Sequence, residues 1–303
     1  MSDPTTPERT GPPATVLTPT VLRDWHLPDP GGDGKAGRGT ALVVGGSRGT
    51  PGAVLLAGVA ALRVGAGVLQ IGAPASVSIA LGISVPEALV LPLPETAAGS
   101  VSAAAVDDLS EVLADAAAIL VGPGLYDADD KIQGLLTALV KQISAESTVV
   151  LDGYALRALD PETVAPLAGR LVLTPNTTEA TQLLRAVPGA PDPAADPGGA
   201  AMAIARRLDA AVTLHGHVAD AGGERWLDQS GHAGLGTSGS GDVLAGMVVG
   251  FLARGATPAQ AACWATHVHA TVGERLGARI SHIGFLAREL LDEAPLVLAE
   301  LMG

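Results

Sequence analysis

Residues 40–73 read TALVVGGSRGTPGAVLLAGVAALRVGAGVLQIGA. The run TALVV has the length of a buried strand and stops at Gly45-Gly46-Ser47. From Pro51 to Gly65 apolar residues recur at helical spacing, with Pro at the start and small residues suited to close packing. VLQIGA, from Val68, reads as a second strand. Strand, glycine turn, helix and strand make the unit of a parallel sheet, because parallel neighbours need a crossover long enough to hold a helix.

The rhythm continues outward from this unit. AAILVGPG from Ala117, TVVLDG from Thr148, RLVLTPN from Arg170 and AVTLHG from Ala211 read as strands that end in glycine or polar loops. Lys131 to Ile143 is an amphipathic helix, and Glu179 to Arg185 begins another. VPGAPDPAADPGG (187–199) is too rich in Pro for either regular structure and reads as a loop. Ser240–Leu252, Pro258–Leu276 and Phe285–Leu301 are helical in period. The predicted fold is three-layer α/β/α with a mainly parallel central sheet. Residues 18–303 form a single domain, preceded by a Pro- and Thr-rich tail, 1–17, expected to be disordered.

Composition narrows the function. Of 303 residues 48% are hydrophobic but only 2% aromatic, so Ala, Val and Leu must fill the core. A net charge of -13 opposes nucleic acid and anionic membranes as partners. A bound anion would then need a local cradle of backbone N–H groups. The single cysteine, Cys263, lies in the apolar helical pattern AQAACWATHVH and reads as a buried structural thiol. One cysteine points to a reducing compartment. No apolar stretch follows a basic start, and no run approaches the ~18 apolar residues of a membrane span, so the expected location is cytoplasmic. Helices rich in small residues are compatible with a homo-oligomer.

The chemistry points to the carboxyl ends of the strands, where open α/β sheets gather ligands. Five loops there have suitable character: Gly45-Gly46-Ser47, Gly122-Pro123-Gly124, Asp152-Gly153, Thr174-Pro175-Asn176 and His215-Gly216. The strongest local signal is GLGTSGSGDVLAGMVVGF (234–251). Gly236, Gly239 and Gly241 open a backbone path into an apolar helix that begins at Asp242. The amides at a helix start suit a phosphate, and a carboxylate beside it can take a proton from an attacking hydroxyl. A lone Asp there would read as a helix cap. Three glycines within six residues favour the open, ligand-facing loop. GxxxxGK[ST] is absent, and the GxGxxG match at Gly234 follows no clear strand.

Metal clusters are poor. His267 and His269 lie two apart on a helix and point to different faces. His215 and His217 would share a strand face, as a zinc pair or as ordinary loop histidines, and no third ligand follows at metal spacing. Asp152 and Glu179 each follow a strand and could hold Mg2+ through water beside phosphates.

Taken in order, these motifs resemble the ribokinase-like superfamily and, within it, the ADP- or ATP-dependent NAD(P)H-hydrate dehydratases, repair enzymes for hydrated nicotinamide cofactors. The resemblance rests on Lys35 and Gly39, on GGSRGTPGAVLLAGVAALRVGAG (45–67), on Pro86-Glu87, on Gly122–Leu125, on Thr174–Glu179 and on GSGDVLAG from Gly239. It implies that Ala53, Gly124 and Asn176 line the pocket for the hydrated nicotinamide nucleotide. It also implies that His215, Gly216, His217, Val218 and Ala219 approach the adenylate. Gly239, Ser240 and Gly241 would contact the nucleotide phosphate, with Asp242 as catalytic base at the hydrated substrate. ADP or ATP and Mg2+ are the implied co-substrate and cofactor, with Glu179 the candidate for the metal.

Three positions depart from the family pattern. Asn176 stands where the family usually has His, His215-Gly216 where it has Lys-Gly, and Asp152-Gly153-Tyr154 where it has a DAD-like element. Arg48 or Arg225 could replace the missing lysine charge. A small-molecule kinase on the same fold and a non-catalytic nucleotide-binding variant remain alternatives.

Overall fold

The computed structural model describes residues 13–28 and 34–303. Ten strands form one sheet: β1 (Thr15–Val16), β2 (Thr40–Val44), β3 (Val68–Pro74), β4 (Ala88–Leu93), β5 (Ala118–Val121), β6 (Thr148–Leu151), β7 (Leu171–Leu173), β8 (Ala210–Leu214), β9 (His217–Ala219) and β10 (Arg225–Leu227). Their order is β1-β10-β9-β8-β7-β6-β5-β2-β3-β4. From β4 to β8 all neighbours are parallel, while β9 runs antiparallel to both β8 and β10. The helices are α1 (Pro19–Asp24), α2 (Pro51–Arg63), α3 (Ala75–Ser84), α4 (Ser110–Asp115), α5 (Asp129–Val140), α6 (Tyr154–Arg157), α7 (Pro161–Val164), α8 (Thr177–Leu184), α9 (Pro197–Leu208), α10 (Ser240–Ala253), α11 (Pro258–Arg279) and α12 (Ala287–Met302).

Strand alternation builds the three layers. In β2, Ala41 and Val43 face one buried cluster with Val54 and Ala57 of α2, Val248 of α10 and Val268 of α11. Leu42 and Val44 face a second cluster with Leu113 of α4 and Leu135 and Leu139 of α5. A strand buried on both faces reads as a continuous apolar run, as TALVV does. With few aromatics, close backbone approach does the filling. A Cβ on Gly246 of α10 would lie 2.2 Å from the Ala57 carbonyl oxygen of α2, and one on Gly250 would lie 2.4 Å from the Val64 side chain. Cys263 is buried, as its helical pattern predicts. Among the described residues no helix is long and apolar enough to cross a membrane.

Two expectations need correction. The tail expected over 1–17 is ordered at its end. Thr15 and Val16 pair in parallel with Trp226 and Leu227, and Leu17 is buried. The reason is that β10 would otherwise leave an unpaired sheet edge, and Leu17 adds a backbone bond of 2.9 Å to the Leu227 carbonyl. Residues 1–12 lie outside the described residues. The loop expected over 187–199 ends earlier, because Asp196 caps α9 by accepting from the Gly199 N–H at 2.9 Å, with Pro197 in the first turn.

Candidate active site

Parallel pairing from β2 to β8 sends the five loops to one edge of the sheet. Two of them interlock at the end of β2 and β5. The Gly46 N–H donates to the Pro123 carbonyl at 2.7 Å, and the Thr50 hydroxyl donates to the Gly124 carbonyl at 2.7 Å. A Cβ on Gly124 (φ +67°) would lie 2.9 Å from the Ala53 methyl, so the structure brings these two predicted pocket residues together. Next along the edge, a Cβ on Gly122 would lie 1.8 Å from the Asp152 carbonyl oxygen, a crossing that only glycine permits.

Three carboxyl groups follow. Asp152 is buried, and its carboxylate accepts from the Thr174 hydroxyl at 2.7 Å. Burial pushes its pKa up to about 6 against that bond and one from Gly153. Glu179 and Asn176 form a reciprocal capping box at the start of α8. The Asn176 side chain accepts from the Glu179 N–H at 2.9 Å, and Glu179 accepts from the Asn176 N–H at 2.9 Å. Burial, partly opposed by the Asn176 backbone bond and reinforced by Asp152, raises Glu179 to about 7.

Asp242 sits in the first turn of α10 but does not cap it. The cap position is Gly239, in the left-handed region at φ 90°, where a Cβ would strike Leu56 at 2.6 Å. Among the described residues no hydrogen bond offsets the partial burial of the Asp242 carboxyl, and with repulsion from Asp152 and Glu179 that burial raises its pKa to about 7. A group with these properties is a base poised near neutrality. Beside it, a Cβ on Gly241 would meet nothing within 4 Å, so the helix start is open at that residue, while the Ser240 N–H donates to the Thr237 carbonyl at 3.2 Å. Ser240 is withdrawn instead. It is buried, and its hydroxyl lies 2.9 Å from Nε2 of His269 on α11. That nitrogen is also 3.1 Å from the Ser240 carbonyl, so it carries the proton and donates. Burial lowers the His269 pKa to about 4, which keeps the ring neutral.

His215 and Gly216 form a two-residue hairpin turn between β8 and β9, both at positive φ (47° and 78°). The expected shared strand face is therefore absent. His215 Nε2 lies 2.7 Å from the Thr177 hydroxyl at the start of α8, whereas His217 sits over Gly198 at the start of α9. The zinc pair fails for that reason, and among the described residues no group of three His, Cys, Asp or Glu could hold a metal. Val218 and Ala219 are each 1% exposed, which leaves the turn rather than their side chains to meet a ligand. Arg48 is held by Glu95 at 2.9 Å. Arg225 is close enough to His217 to lower its pKa, though burial is the larger cause.

The sequence reading missed how this edge is braced. Gly216 accepts from the Asp228 N–H at 2.8 Å, and the buried Asp228 carboxylate meets Nδ1 of His267 at 2.5 Å. Two residues on, His269 holds Ser240. One helix, α11, thus ties the His215-Gly216 turn to the start of α10. The signal was a pair of histidines in a mostly apolar stretch of this helix, since buried polar groups need partners. Two concavities, of about 190 and 300 Å³, lie elsewhere, beside Arg157 and Gln182 and beside Asp209 and Thr257. Neither has the convergent glycine turns of the carboxyl edge.

The profile of the NAD(P)H-hydrate dehydratase family matches residues 41–296. The chain belongs to this family. It is 42% identical over 297 residues to an ADP-dependent (S)-NAD(P)H-hydrate dehydratase of Xanthomonas campestris, spanning 96% of this chain and 99% of that one. A bifunctional NAD(P)H-hydrate repair enzyme of Moorella thermoacetica is 34% identical over 87% of this chain, which spans 50% of its length. The fold is ribokinase-like. The ADP/ATP-dependent NAD(P)H-hydrate dehydratase of Bacillus subtilis, co-crystallized with ATP/Mg2+, superposes with a TM-score of 0.74 at 27% identity, covering 95% of this chain and 99% of that one. A ribokinase of Arabidopsis thaliana shares the fold alone, with a TM-score of 0.55 at 13% identity over 87% of this chain and 98% of that one. The loops after β2, β5, β6, β7 and β8, Asp242 and the glycine-opened start of α10 stand along one edge of the sheet.

Proposed function

We propose that the chain dehydrates hydrated NADH or NADPH, using ADP as co-substrate and Asp242 as the base. The observation that carries this reading is the Asp242 carboxyl, free of hydrogen bonds among the described residues, raised to about 7 and set in the first turn of a helix opened by glycine. Asp242 takes the proton of the substrate hydroxyl. The oxygen attacks the terminal phosphorus of ADP, and AMP leaves. Phosphate then departs with the carbon–oxygen bond pair, a neighbouring C–H proton is lost and the ring double bond is restored. The products are NAD(P)H, AMP and phosphate. The ADP-dependence named for the Xanthomonas relative supports the choice of nucleotide.

In this reading the first-turn amides of α10 hold the terminal phosphate, and the His215-Gly216 turn meets the adenylate. His217, Gly239, Ser240 and Gly241 frame that path, with Val218 and Ala219 supporting the turn from the core. Ala53 and Gly124 line the nicotinamide side, with Asn176 at its rim. The acidic, all-oxygen character of Asp152 and Glu179 fits a Mg2+ held mostly by phosphates and water, which would neutralise phosphate charge.

The test is an assay with enzymatically hydrated NADH, with ADP, ATP or no nucleotide. Reduced-nicotinamide absorbance and free phosphate should rise together, and only with nucleotide. A stable phosphorylated product would instead make the chain a kinase. Binding without turnover would make it a sensor.

A further inference from the structure

The chain has two tyrosines, and both stand at the carboxyl edge. Tyr126 follows the Gly122–Leu125 loop after β5, and Tyr154 opens α6 after β6. Their ring centroids lie 5.4 Å apart at 67°, and the Arg157 guanidinium sits 4.6 Å from the Tyr154 ring centroid. Phe251, Phe285 and Trp264 are buried, and Trp25 stacks on Trp226. Tyr126 is 60% exposed, the one exposed aromatic among the described residues.

We propose that the exposed ring of Tyr126, propped edge-on by Tyr154 with Arg157 over the Tyr154 ring, is a stacking platform for the planar adenine ring of the dinucleotide substrate. Tyr126 is displayed by a fixed loop. Leu125 before it is buried, its own N–H donates to the Ser100 hydroxyl at 3.3 Å, and Asp127 after it binds the Thr96 hydroxyl and caps the Ala128 N–H at 2.8 Å. A ring held out by anchored neighbours loses little freedom when a ligand covers it. The platform also adjoins the substrate side of the site: Tyr126 is two residues past Gly124, and Tyr154 is two past Asp152, whose charge is felt by Asp242. The hydrated nicotinamide ring is saturated at its reacting carbon and cannot lie flat. Adenine at the other end of the dinucleotide is flat, and such rings stack on Tyr and on Arg planes. Tyr154 occupies the place of the acid in the family's DAD-like element, so the platform belongs to this chain's own departure.

The inference rests on the dehydratase reading, and the test separates the two. KM would be measured for hydrated NADH, for hydrated reduced nicotinamide mononucleotide, which lacks adenine, and for ADP. Tyr126→Ala should raise KM for hydrated NADH roughly fivefold to tenfold. KM for the mononucleotide hydrate and for ADP should stay unchanged, and Tyr126→Phe should behave as wild type. An unchanged KM for hydrated NADH overturns the proposal. So does an equal rise for the mononucleotide, which puts the ring at the nicotinamide end, or a rise confined to ADP, which gives the platform to the co-substrate. If wild type fails to turn over the hydrate, the dehydratase reading falls. The platform is then judged by calorimetric Kd for NADH, which Tyr126→Ala must weaken by the same factor without weakening that for reduced nicotinamide mononucleotide.

Discussion

Replacing Asp242 with Asn separates what its carboxylate does for chemistry from what it costs the fold. The Asn side chain keeps the shape and removes the charge and the basicity. Loss of a general base slows chemistry by about 10²- to 10⁴-fold, and kcat should fall within that range. Stability should move the other way. The Asp242 pKa rises from 3.8 to about 7 because burial, then Asp152 and Glu179, disfavour its charged form. Between those values the folded state binds more protons than the unfolded state, so wild-type stability falls as pH rises. The full shift corresponds to about 4 kcal/mol at ~1.4 kcal/mol per unit. The carboxylate keeps a solvent-facing side, and screening reduces the effect to on the order of 1–2 kcal/mol. Asp242→Asn should therefore match wild type below about pH 4, gain stability between pH 4 and 7, and hold that gain above it. At pH 8 the gain should raise Tm by about 2–6 °C. Calorimetric melts at pH 4 and pH 8, run beside single-turnover assays, measure both effects. A variant that retains wild-type kcat, or one that melts below wild type at pH 8, refutes the account of a half-buried base strained by its neighbours.

The remaining expectations test the same edge and its supports. As a base acts deprotonated, kcat/KM should rise with pH through about 7, following the Asp242 shift, and the rise should vanish in Asp242→Asn; a flat wild-type profile argues against the assignment. Added ADP at a hundredfold excess over its Kd should stabilise the fold by ~2.7 kcal/mol, read as a rise in Tm, and no rise at saturating nucleotide would leave the glycine turns structural. Gly246→Ala places a Cβ 2.2 Å from the Ala57 carbonyl and should destabilise by about 1–3 kcal/mol in urea unfolding, by forcing α2 and α10 apart. His267→Ala strands the buried Asp228 carboxylate and should destabilise by about 3–5 kcal/mol, and a neutral outcome in the same titration would show that the pair is not needed.

Sequence carried β2, β3 and β5 to β8 because they are short apolar runs closed by glycine or polar loops, whereas β4 (Ala88–Leu93), interrupted by Pro92, went unread. It was silent on β9, β10 and β1, three strands of two or three residues each, too short to show a period. Pairing between distant segments makes them strands, and Thr15 with Trp226 is the clearest case. The site divides the same way. Glycines at 122, 124 and 239 were legible because a crossing or a positive φ leaves no alternative residue. The histidines were not, because a side chain's partner lies on another element. His267 and His269 diverge as helical spacing requires, yet each diverges toward a polar group, Asp228 and Ser240. The departures at 176 and 215 take on meaning only here. Asn176 closes the capping box of α8 that places Glu179, and His215 lies within hydrogen-bond distance of Thr177 on that same helix. Both substitutions thus converge on the start of α8.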